Sequence, residues 1–232
     1  MLNGKTFLAV IPARGGSKGI PRKNLTFVNR KPLIQYTIEE ALTSEAIDDV
    51  IVSTDDQDIA DVSIKLGASV PFLRPPELAG DHSKTIDAVM HVINEQRNRY
   101  KEYSYVVILQ PTQPLRKSWH IDEAALKIIE NGQNGQNGLV SISKVVEHPV
   151  LMRTISSEGR LKNVLNINST LRRQDFPDVY KVNGAIYINK ISSLSNQTSL
   201  NDNEIGYIMD EKYDLDIDKQ SDIEELLRRV KV

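Results

Sequence analysis

The sequence contains no cysteine in its 232 residues. It can therefore form no disulfide and use no thiolate in catalysis, which fits a reducing compartment. It also lacks any apolar run that approaches the ~20 residues of a membrane span. The first residues, MLNGKTF, lack the order of a signal peptide, in which cations precede a long apolar stretch. We expect a cytoplasmic protein that has no membrane partner.

An excess of charge of either sign is also missing. The chain has 29 Lys and Arg residues against 31 Asp and Glu residues, which gives a formal net charge of −2. Such a balance provides no overall attraction to nucleic acid or to a membrane surface. A cluster of basic residues is therefore a local feature that suits a small anionic ligand. The length suits a single α/β domain over residues 1–232.

One such basic cluster follows the first apolar run. Phe7 to Ile11 reads as a strand buried on both faces, and Pro12 ends it. The segment that follows carries three glycines and four cations, which are Gly15, Gly16, Gly19, Arg14, Lys18, Arg22 and Lys23. Glycines let backbone N–H groups approach an anion, and the cations neutralise its charge. We interpret the segment as a phosphate loop; the alternative is a surface turn with solvated charges.

This loop matches neither of the two common glycine motifs. A Walker loop needs Gly-Lys-Ser/Thr where this chain has Ile20 and Pro21. The dinucleotide motif G-x-G-x-x-G fails because Gly15 and Gly16 are adjacent. The loop therefore predicts polyphosphate binding, but it belongs to neither the Walker nor the dinucleotide class.

Apolar runs and helical patterns alternate after the loop, which is typical of a parallel sheet covered by helices. The further predicted strands are 50–54, 70–73, 105–109, 139–143, 184–188 and 205–209. Asp55 or Asp56 can cap the helix after the second strand, and Ser83 is a candidate to open the next one. The loops after Ile11, Leu73 and Leu109 leave carboxyl ends of strands, where open sheets bind ligands.

Two segments depart from this alternation. From Lys144 to Lys181 the chain breaks into short β-like pieces, which we interpret as an excursion from the sheet that contacts a second subunit. Near the carboxyl end, Asp214, Asp216 and Asp218 alternate with apolar residues, so an extended chain would place all three carboxylates on one side. A hard cation with oxygen ligands, for which we expect Mg²⁺, would relieve their repulsion. The alternative is an acidic edge strand.

Together these motifs resemble the acylneuraminate cytidylyltransferases along nearly the whole chain. The matching segments are IPARGGSKGIPRKN from Ile11, VSTDD from Val52, LRPPELAGD from Leu73, LQPTQPLR from Leu109, RRQDFPDVYKVNGAIYIN from Arg172 and DID from Asp216. The resemblance implies a Rossmann-like, mostly parallel sheet with helices on both faces, and a small β-rich excursion that forms a homodimer. It also implies transfer of CMP from CTP to the anomeric hydroxyl of a nonulosonic acid, with release of pyrophosphate.

The resemblance assigns roles to residues of this chain. Arg14, Ser17, Lys23 and Asn24 would hold the triphosphate, and Arg74, Ala79 and Ser83 would border the nucleoside. Asp216 and Asp218 would bind Mg²⁺. Gln110, Arg173, Asn183 and Tyr187 would line the sugar pocket. The catalytic roles would fall to Arg14 and Lys23, which offset the charge that builds up on the phosphates, and to Asp216, which takes the hydroxyl proton.

Three positions bear on which sugar acid is used. Lys181 stands where we expect an Arg, Val150 where we expect a Lys, and Gln113 where we expect a Ser. They point to legionaminic acid as readily as to N-acetylneuraminic acid. Three alternatives remain open: a 3-deoxy-manno-octulosonate cytidylyltransferase, a glycosyltransferase that uses Asp216-Ile217-Asp218 as its D-x-D motif, and a non-catalytic nucleotide-binding relative.

Overall fold

The computed structural model describes residues 1–17, 19–132, 137–165 and 172–230, without the side chain of Arg173. Its centre is a six-stranded sheet. The strands, in chain order, are β1 (Phe7–Pro12), β4 (Asp49–Ser53), β5 (Tyr105–Ile108), β6 (Gly138–Lys144), β9 (Tyr180–Lys190) and β10 (Ile205–Ile208). Two short hairpins lie outside this sheet: β2 (Phe27–Val28) with β3 (Lys31–Pro32), and β7 (Arg153–Ile155) with β8 (Leu161–Asn163).

The strand order in the sheet is β10-β6-β9-β5-β1-β4. β1 pairs in parallel with β4 and with β5, and β10 pairs in parallel with β6. Only β9 runs against its two neighbours, β5 and β6. The predicted fold class, a mostly parallel sheet with helices on both faces, is confirmed.

Alternating side chains of β1 belong to two different cores. Phe7, Ala9 and Ile11 pack in a core with α1 (Leu33–Thr43), α2 (Gln57–Lys65) and α4 (Ser118–Asn131). Leu8 and Val10 pack in a second core with α3 (Thr85–Asn98). Because helices cover both faces, every side chain from Phe7 to Ile11 is fully buried. The predicted continuous apolar strand is therefore present.

A third core joins the two ends of the chain. The last helix, α5 (Gln220–Val230), packs Ile223 and Leu226 with Ile20 of the glycine loop and with Ile217. Ile217 is fully buried, so the acidic segment around it is fixed to the same core as the loop. This packing is what brings the two chemical motifs together.

Two secondary-structure predictions are wrong. Val70–Leu73 forms no strand; the only pairing nearby is a single parallel bridge between Ile51 and Ser69. Pro71 lacks the N–H that a continued ladder would need. The long helix α3 begins at Thr85 and not at Ser83, whose hydroxyl instead donates to the carbonyl of Glu77 at 2.9 Å.

Between β6 and β9 the chain leaves the sheet, as expected. The described part of this excursion contains the β7–β8 hairpin, in which all six residues are exposed. Residues 166–171 of the predicted excursion lie outside the described residues. Within the described chain, no helix has the length and apolar character needed to cross a membrane.

Candidate active site

The glycine loop after β1 is fastened to the segment after β4. The backbone N–H of Gly15 donates to the carboxylate of Asp55 at 3.0 Å. Of the two candidate helix caps, Asp56 is the one that caps α2, by accepting from the N–H of Ile59 at 3.0 Å. A Cβ on Gly15 would lie only 2.8 Å from the Asp56 carboxylate, so the close contact requires glycine. The VSTDD segment thus supports the loop.

Arg22 also fastens the loop. Its backbone is left-handed, with φ of 53°, and its guanidinium contacts Asp58 at 2.7 Å and Asp56 at 3.3 Å. It therefore faces the first turn of α2. Its neighbour Lys23 faces the cleft. Lys18, another cation of the predicted loop, lies outside the described residues.

Lys23 joins the basic loop to the acidic segment. Its Nζ donates to the carbonyl of Ile217 at 2.6 Å and to the carboxylate of Asp218 at 2.9 Å. Only 12% of the Lys23 side chain is exposed. Gly19 packs directly against the backbone carbonyl of Asp218, at a distance that no Cβ could tolerate. Two motifs almost 200 residues apart in sequence therefore share one wall of a cleft.

Asp216 lies in the same acidic segment and reaches solvent. The surrounding walls still displace much of its water, and this desolvation raises the pKa of Asp216. A hydrogen bond with Thr112 acts in the opposite direction, and the like charges of Asp218 and Asp214 raise the pKa further. The nearby Lys23 charge lowers it. The Asp216 carboxylate therefore lies close enough to the basic glycine loop and to the other acids of its segment to feel their charges.

Asp214 does not join the other two acids in the predicted way. The segment 214–218 is not a strand, and the Asp214 carboxylate pairs with Lys181 Nζ at 2.9 Å. Its side chain is only 9% exposed. The prediction that all three carboxylates share one side is wrong, because Asp214 lines a different pocket together with Lys181, whereas Asp218 lies with Lys23 in the cleft. Lys181, whose identity the sequence left unexplained, ties β9 to the acidic segment.

Two arginines also line this cleft. Arg74 is buried, and its guanidinium donates to the Ser53 hydroxyl at 3.0 Å and to the Ser53 carbonyl. Burial lowers the pKa of Arg74, and the Asp55 charge opposes that shift. Arg14 is more open, and its Nη1 contacts the Gly80 carbonyl and the Asp81 carboxylate at 3.2 Å each. Of these two arginines, Arg14 is the one that an incoming anion can reach more easily.

The cleft that these residues line has a volume of about 420 Å³, within the usual range for small-ligand sites. Six of the seven residues predicted to hold the nucleotide line it, namely Arg14, Ser17, Lys23, Asn24, Arg74 and Ser83. Ala79 is the exception, although its neighbours Leu78 and Gly80 line the cleft. Asn24 is buried and donates to the Arg14 carbonyl at 3.1 Å, so it shapes the loop as well.

Two of the four predicted sugar residues lie toward this cleft. Gln110 lines it directly. Tyr187 donates its hydroxyl to Asn201 at 3.0 Å, and burial followed by the Asp216 charge raises the pKa of Tyr187. Tyr187 therefore lies close enough to Asp216 to feel its charge.

The other two predicted sugar residues are placed differently. Asn183 is buried, and its amide is paired with Ser141, Ser143 and the Ala185 backbone. These bonds hold β9 to β6, so its contact with a sugar stays a prediction. The side chain of Arg173 lies outside the described residues, and its predicted contact with the sugar carboxylate stays a prediction too.

Sequence reasoning missed three residues that shape this site: Asp55 as a loop support, Thr112 beside Asp216, and Gly184 beside Gln110. Thr112 could have been found, because it lies in the LQPTQPLR motif after a strand end. Asp55 and Asp56 are adjacent and identical, so no pattern could assign their separate roles.

Among the described residues, no group of three or more His, Cys, Asp or Glu side chains is arranged to hold a metal ion by itself. Mg²⁺ usually takes one or two protein carboxylates and completes its coordination with water and substrate phosphates. Asp216 and Asp218 fit that smaller donor set, since they are close enough to repel each other and Asp218 lines the cleft.

A buried histidine near this region predicts a pH dependence of stability. His120, in the first turn of α4, accepts a hydrogen bond at Nδ1 from the Lys117 backbone at 2.9 Å. Its ring packs against Trp119 and Tyr213. Burial, followed by the Arg116 charge, lowers the pKa of His120 to about 4.

Because a free histidine titrates near 6.5, the unfolded chain binds more protons than the native state between about pH 6.5 and pH 4. We expect the free energy of unfolding to fall as the pH falls through this window, by roughly 3 kcal/mol from this group. Urea unfolding of the native protein and of His120→Gln at several pH values measures the effect. Identical pH profiles for the two proteins would contradict it.

Comparisons with known proteins agree with the motifs. The family model for Cytidylyltransferase matches residues 8–229. N-acylneuraminate cytidylyltransferase of Streptococcus agalactiae is 36% identical over 218 residues, which cover 93% of this chain and 51% of that protein. CMP-N,N'-diacetyllegionaminic acid synthase of Legionella pneumophila is 40% identical over 182 residues, which cover 78% of this chain and 76% of that protein. This chain spans about half the length of the streptococcal relatives that it matches.

Solved structures show the same fold. CMP:2-keto-3-deoxy-manno-octonic acid synthetase complexed with CTP matches with a TM-score of 0.71 at 17% identity, over 96% of this chain and 97% of that chain. A cytidylyltransferase from Leptospira borgpetersenii matches with a TM-score of 0.59 at 18% identity, over 96% and 85%. These similarities show the fold alone. With the family model covering nearly the whole sequence, and relatives aligned over most of it, the chain belongs to the cytidylyltransferase family, and its resemblance to the acylneuraminate cytidylyltransferases is confirmed.

Proposed function

We propose that this chain transfers CMP from CTP to the anomeric hydroxyl of a nonulosonic acid and releases pyrophosphate. The observation that carries the proposal is the contact of Lys23 with Asp218, because it places the basic glycine loop and the acidic segment at one nucleotide-sized cleft. Phosphate-binding cations beside paired carboxylates are recurring parts of phosphoryl and nucleotidyl transfer.

The triphosphate would lie along the wall formed by the glycine loop. Arg14 would exchange its contacts with Gly80 and Asp81 for phosphate oxygens, and Lys23 would exchange Asp218 for the same anion. Ser17 and Asn24 line this wall and would add polar contacts. These fixed donors stabilise charge that develops on the phosphates, and one preorganised donor is typically worth about 3 kcal/mol of barrier.

In the reaction, the anomeric oxygen forms a bond to the α-phosphorus while the bond from that phosphorus to the bridging oxygen breaks. Pyrophosphate leaves with the electron pair. Asp216 is our candidate to take the hydroxyl proton, since it lies near both Lys23 and the acceptor side of the cleft. Arg14 and Lys23 would neutralise the charge that passes to the leaving group.

Mg²⁺ is the proposed cofactor, held by Asp216 and Asp218. When bound, it would neutralise triphosphate charge and polarise the α-phosphate. The support for this proposal is the donor set, two mutually repelling carboxylates next to a basic loop. Lys23 now forms a salt bridge with the Asp218 carboxylate. An anionic substrate would draw Lys23 away and leave that carboxylate free to bind Mg²⁺.

The acceptor would bind on the side of Gln110 and Tyr187. The named relatives act on N-acylneuraminate and on N,N'-diacetyllegionaminic acid, so we propose an acid of one of these two types. A planar guanidinium such as Arg173 suits a sugar carboxylate because it can bind in a bidentate way. Lys181 would not serve this purpose, since it is committed to Asp214.

We also propose that the enzyme is a cytoplasmic homodimer paired through the excursion 144–181. Large apolar side chains are exposed there, namely Val146, Leu151, Met152, Ile155, Leu161, Val164 and Tyr180. Exposed apolar groups concentrated in one segment are typical of interaction sites. Light scattering should give a mass twice that of the 26.1 kDa chain, and Ile155→Asp should lower it. A native protein with the mass of a single chain would contradict the dimer.

Incubation with CTP, Mg²⁺ and a panel of sugar acids tests the activity. The panel contains N-acetylneuraminic, legionaminic and 3-deoxy-manno-octulosonic acids, and pyrophosphate release is measured. We expect release with one of the first two. Turnover of only the third would identify the octulosonate enzyme, and CTP binding without any release would indicate a non-catalytic relative. A D-x-D glycosyltransferase would release no pyrophosphate.

A further inference from the structure

Gly184 occupies an unusual point of β9. Its φ of +75° lies in the left-handed region, which favours glycine. The pairing of β9 with β6 shifts register at this level, between Val140 and Ile142. We call this irregularity of the ladder the bulge; a break of this kind re-aims the side chains around it.

Two side chains from the segment between β5 and α4 form hydrogen bonds to the residues on either side of Gly184. Gln113 donates its amide to the carbonyl of Asn183, and Arg116 donates Nη1 to the carbonyl of Ala185 at 2.6 Å. Both side chains are only 1% exposed. Arg116 is fixed in turn by the hydroxyl of Thr37 at 2.8 Å. The bulge therefore has a defined position relative to the loop that carries Gln110.

Asn183 fixes the bulge from within. Its Oδ1 accepts from the Ala185 N–H at 3.0 Å and from the Ser141 hydroxyl, and its Nδ2 donates to the Ser143 hydroxyl at 2.8 Å. All of these groups are buried. Buried hydrogen bonds of this kind rigidify the backbone around Asn183.

The space where Gly184 lacks a side chain is filled by Gln110. A Cβ on Gly184 would lie 2.9 Å from Gln110 Oε1 and 3.7 Å from the Tyr187 hydroxyl oxygen. The first separation is shorter than a real Cβ contact, so any side chain at 184 would displace the end of Gln110. Gln110 also lines the nucleotide cleft, so its carboxamide lies between that cleft and Tyr187.

We propose that Gly184 is a positioning residue for the acceptor, because its missing side chain lets the Gln110 carboxamide lie against β9 next to Tyr187. The inference rests on the proposed function, and Gln110 would make the contact with the sugar acid. Gly184 would act on acceptor affinity through Gln110 and would change CTP affinity much less, since Gln110 is not one of the residues proposed to hold the nucleotide.

A double-mutant cycle tests this role. Gly184→Ala should raise KM for the sugar acid by about tenfold or more and change KM for CTP by less than about twofold. In a Gln110→Ala background, Gly184→Ala should have almost no further effect on KM for the acid. An unchanged KM for the acid, or an equal rise in both backgrounds, would overturn the proposal.

Gly4→Ala is the matched control. Gly4 has a similar left-handed φ of +72°, and nothing lies within 4 Å of its added Cβ. It shares the backbone strain and lacks the clash, so both KM values should stay unchanged. If Gly184→Ala does not fold, Gly184→Asn replaces it in the same cycle, because Asn tolerates the left-handed region.

A second readout needs no substrate. The side-chain amide NMR signal of Gln110, assigned by its loss in Gln110→Ala, should shift in Gly184→Ala and stay in place in Gly4→Ala. If no sugar acid is turned over by the native protein, the proposed function fails while this displacement is still observable. An unmoved Gln110 signal in folded Gly184→Ala would overturn the positioning role whatever the reaction.

Discussion

Replacing Lys23 with methionine is expected to lower kcat/KM by about 100- to 1000-fold, the usual effect of removing one preorganised donor. Methionine keeps most of the apolar stem and removes the charge that now contacts Asp218 at 2.9 Å. Because the lost interaction strengthens as charge builds up on the phosphates, most of the loss should fall on kcat. Pyrophosphate release at saturating and at limiting CTP separates the two constants.

Lys65→Met is the control for this prediction, since Lys65 is an exposed cation at the end of α2. It should retain native rates. Melting curves are needed alongside, because Lys23 also donates to the Ile217 carbonyl and its loss could loosen the acidic segment. A folded Lys23→Met protein with native kcat would remove Lys23 from the catalytic residues.

The second large effect is expected at Asp218. Asp218→Asn keeps the shape of the side chain and removes one of two anionic donors, so the Mg²⁺ concentration for half-maximal rate should rise by at least about tenfold. Mg²⁺ titrations of pyrophosphate release measure it at fixed CTP. Asp216→Asn should have a lower rate of pyrophosphate release even at saturating Mg²⁺, because Asp216 is also the proposed proton acceptor.

Asp61→Asn serves as the matched control, since Asp61 lies on the exposed side of α2 and contacts only Gln57 among the hydrogen bonds observed in the described chain. Its Mg²⁺ dependence should equal that of the native protein. An Asp218→Asn protein with unchanged Mg²⁺ dependence would exclude Asp218 as a ligand.

Much of the fold could be predicted because both faces of the sheet are covered. The run from Phe7 to Ile11 is apolar without a break, and this is possible only where helices bury both sides of a strand. The segment at Val70–Leu73 carries the same apolar signal and forms no strand. It lies beside β4, which is an edge strand of the sheet, and Pro71 cannot donate to a ladder.

The motifs locate the residues that line the cleft, whereas contacts between distant parts of the chain could not be predicted from them. Lys23 and Asp218 carry charges in recognisable motifs, and the structure brings them together. The pairing of Asp214 with Lys181 depends on a contact between distant elements, which alternation along one segment cannot reveal. The pairing of buried Asn183 with two serines of β6 could not be predicted either, because these residues are also distant in sequence.

The central claim is that Lys23, Asp216 and Asp218 act on one magnesium-bound nucleotide. A crystal structure with CTP and Mn²⁺ in place of Mg²⁺ tests it most directly, since the anomalous signal locates the metal. We expect the metal between the triphosphate and the carboxylates of Asp216 and Asp218, with Lys23 Nζ bonded to a phosphate oxygen. A triphosphate that lies away from Lys23, or a metal bound far from both aspartates, would contradict the account.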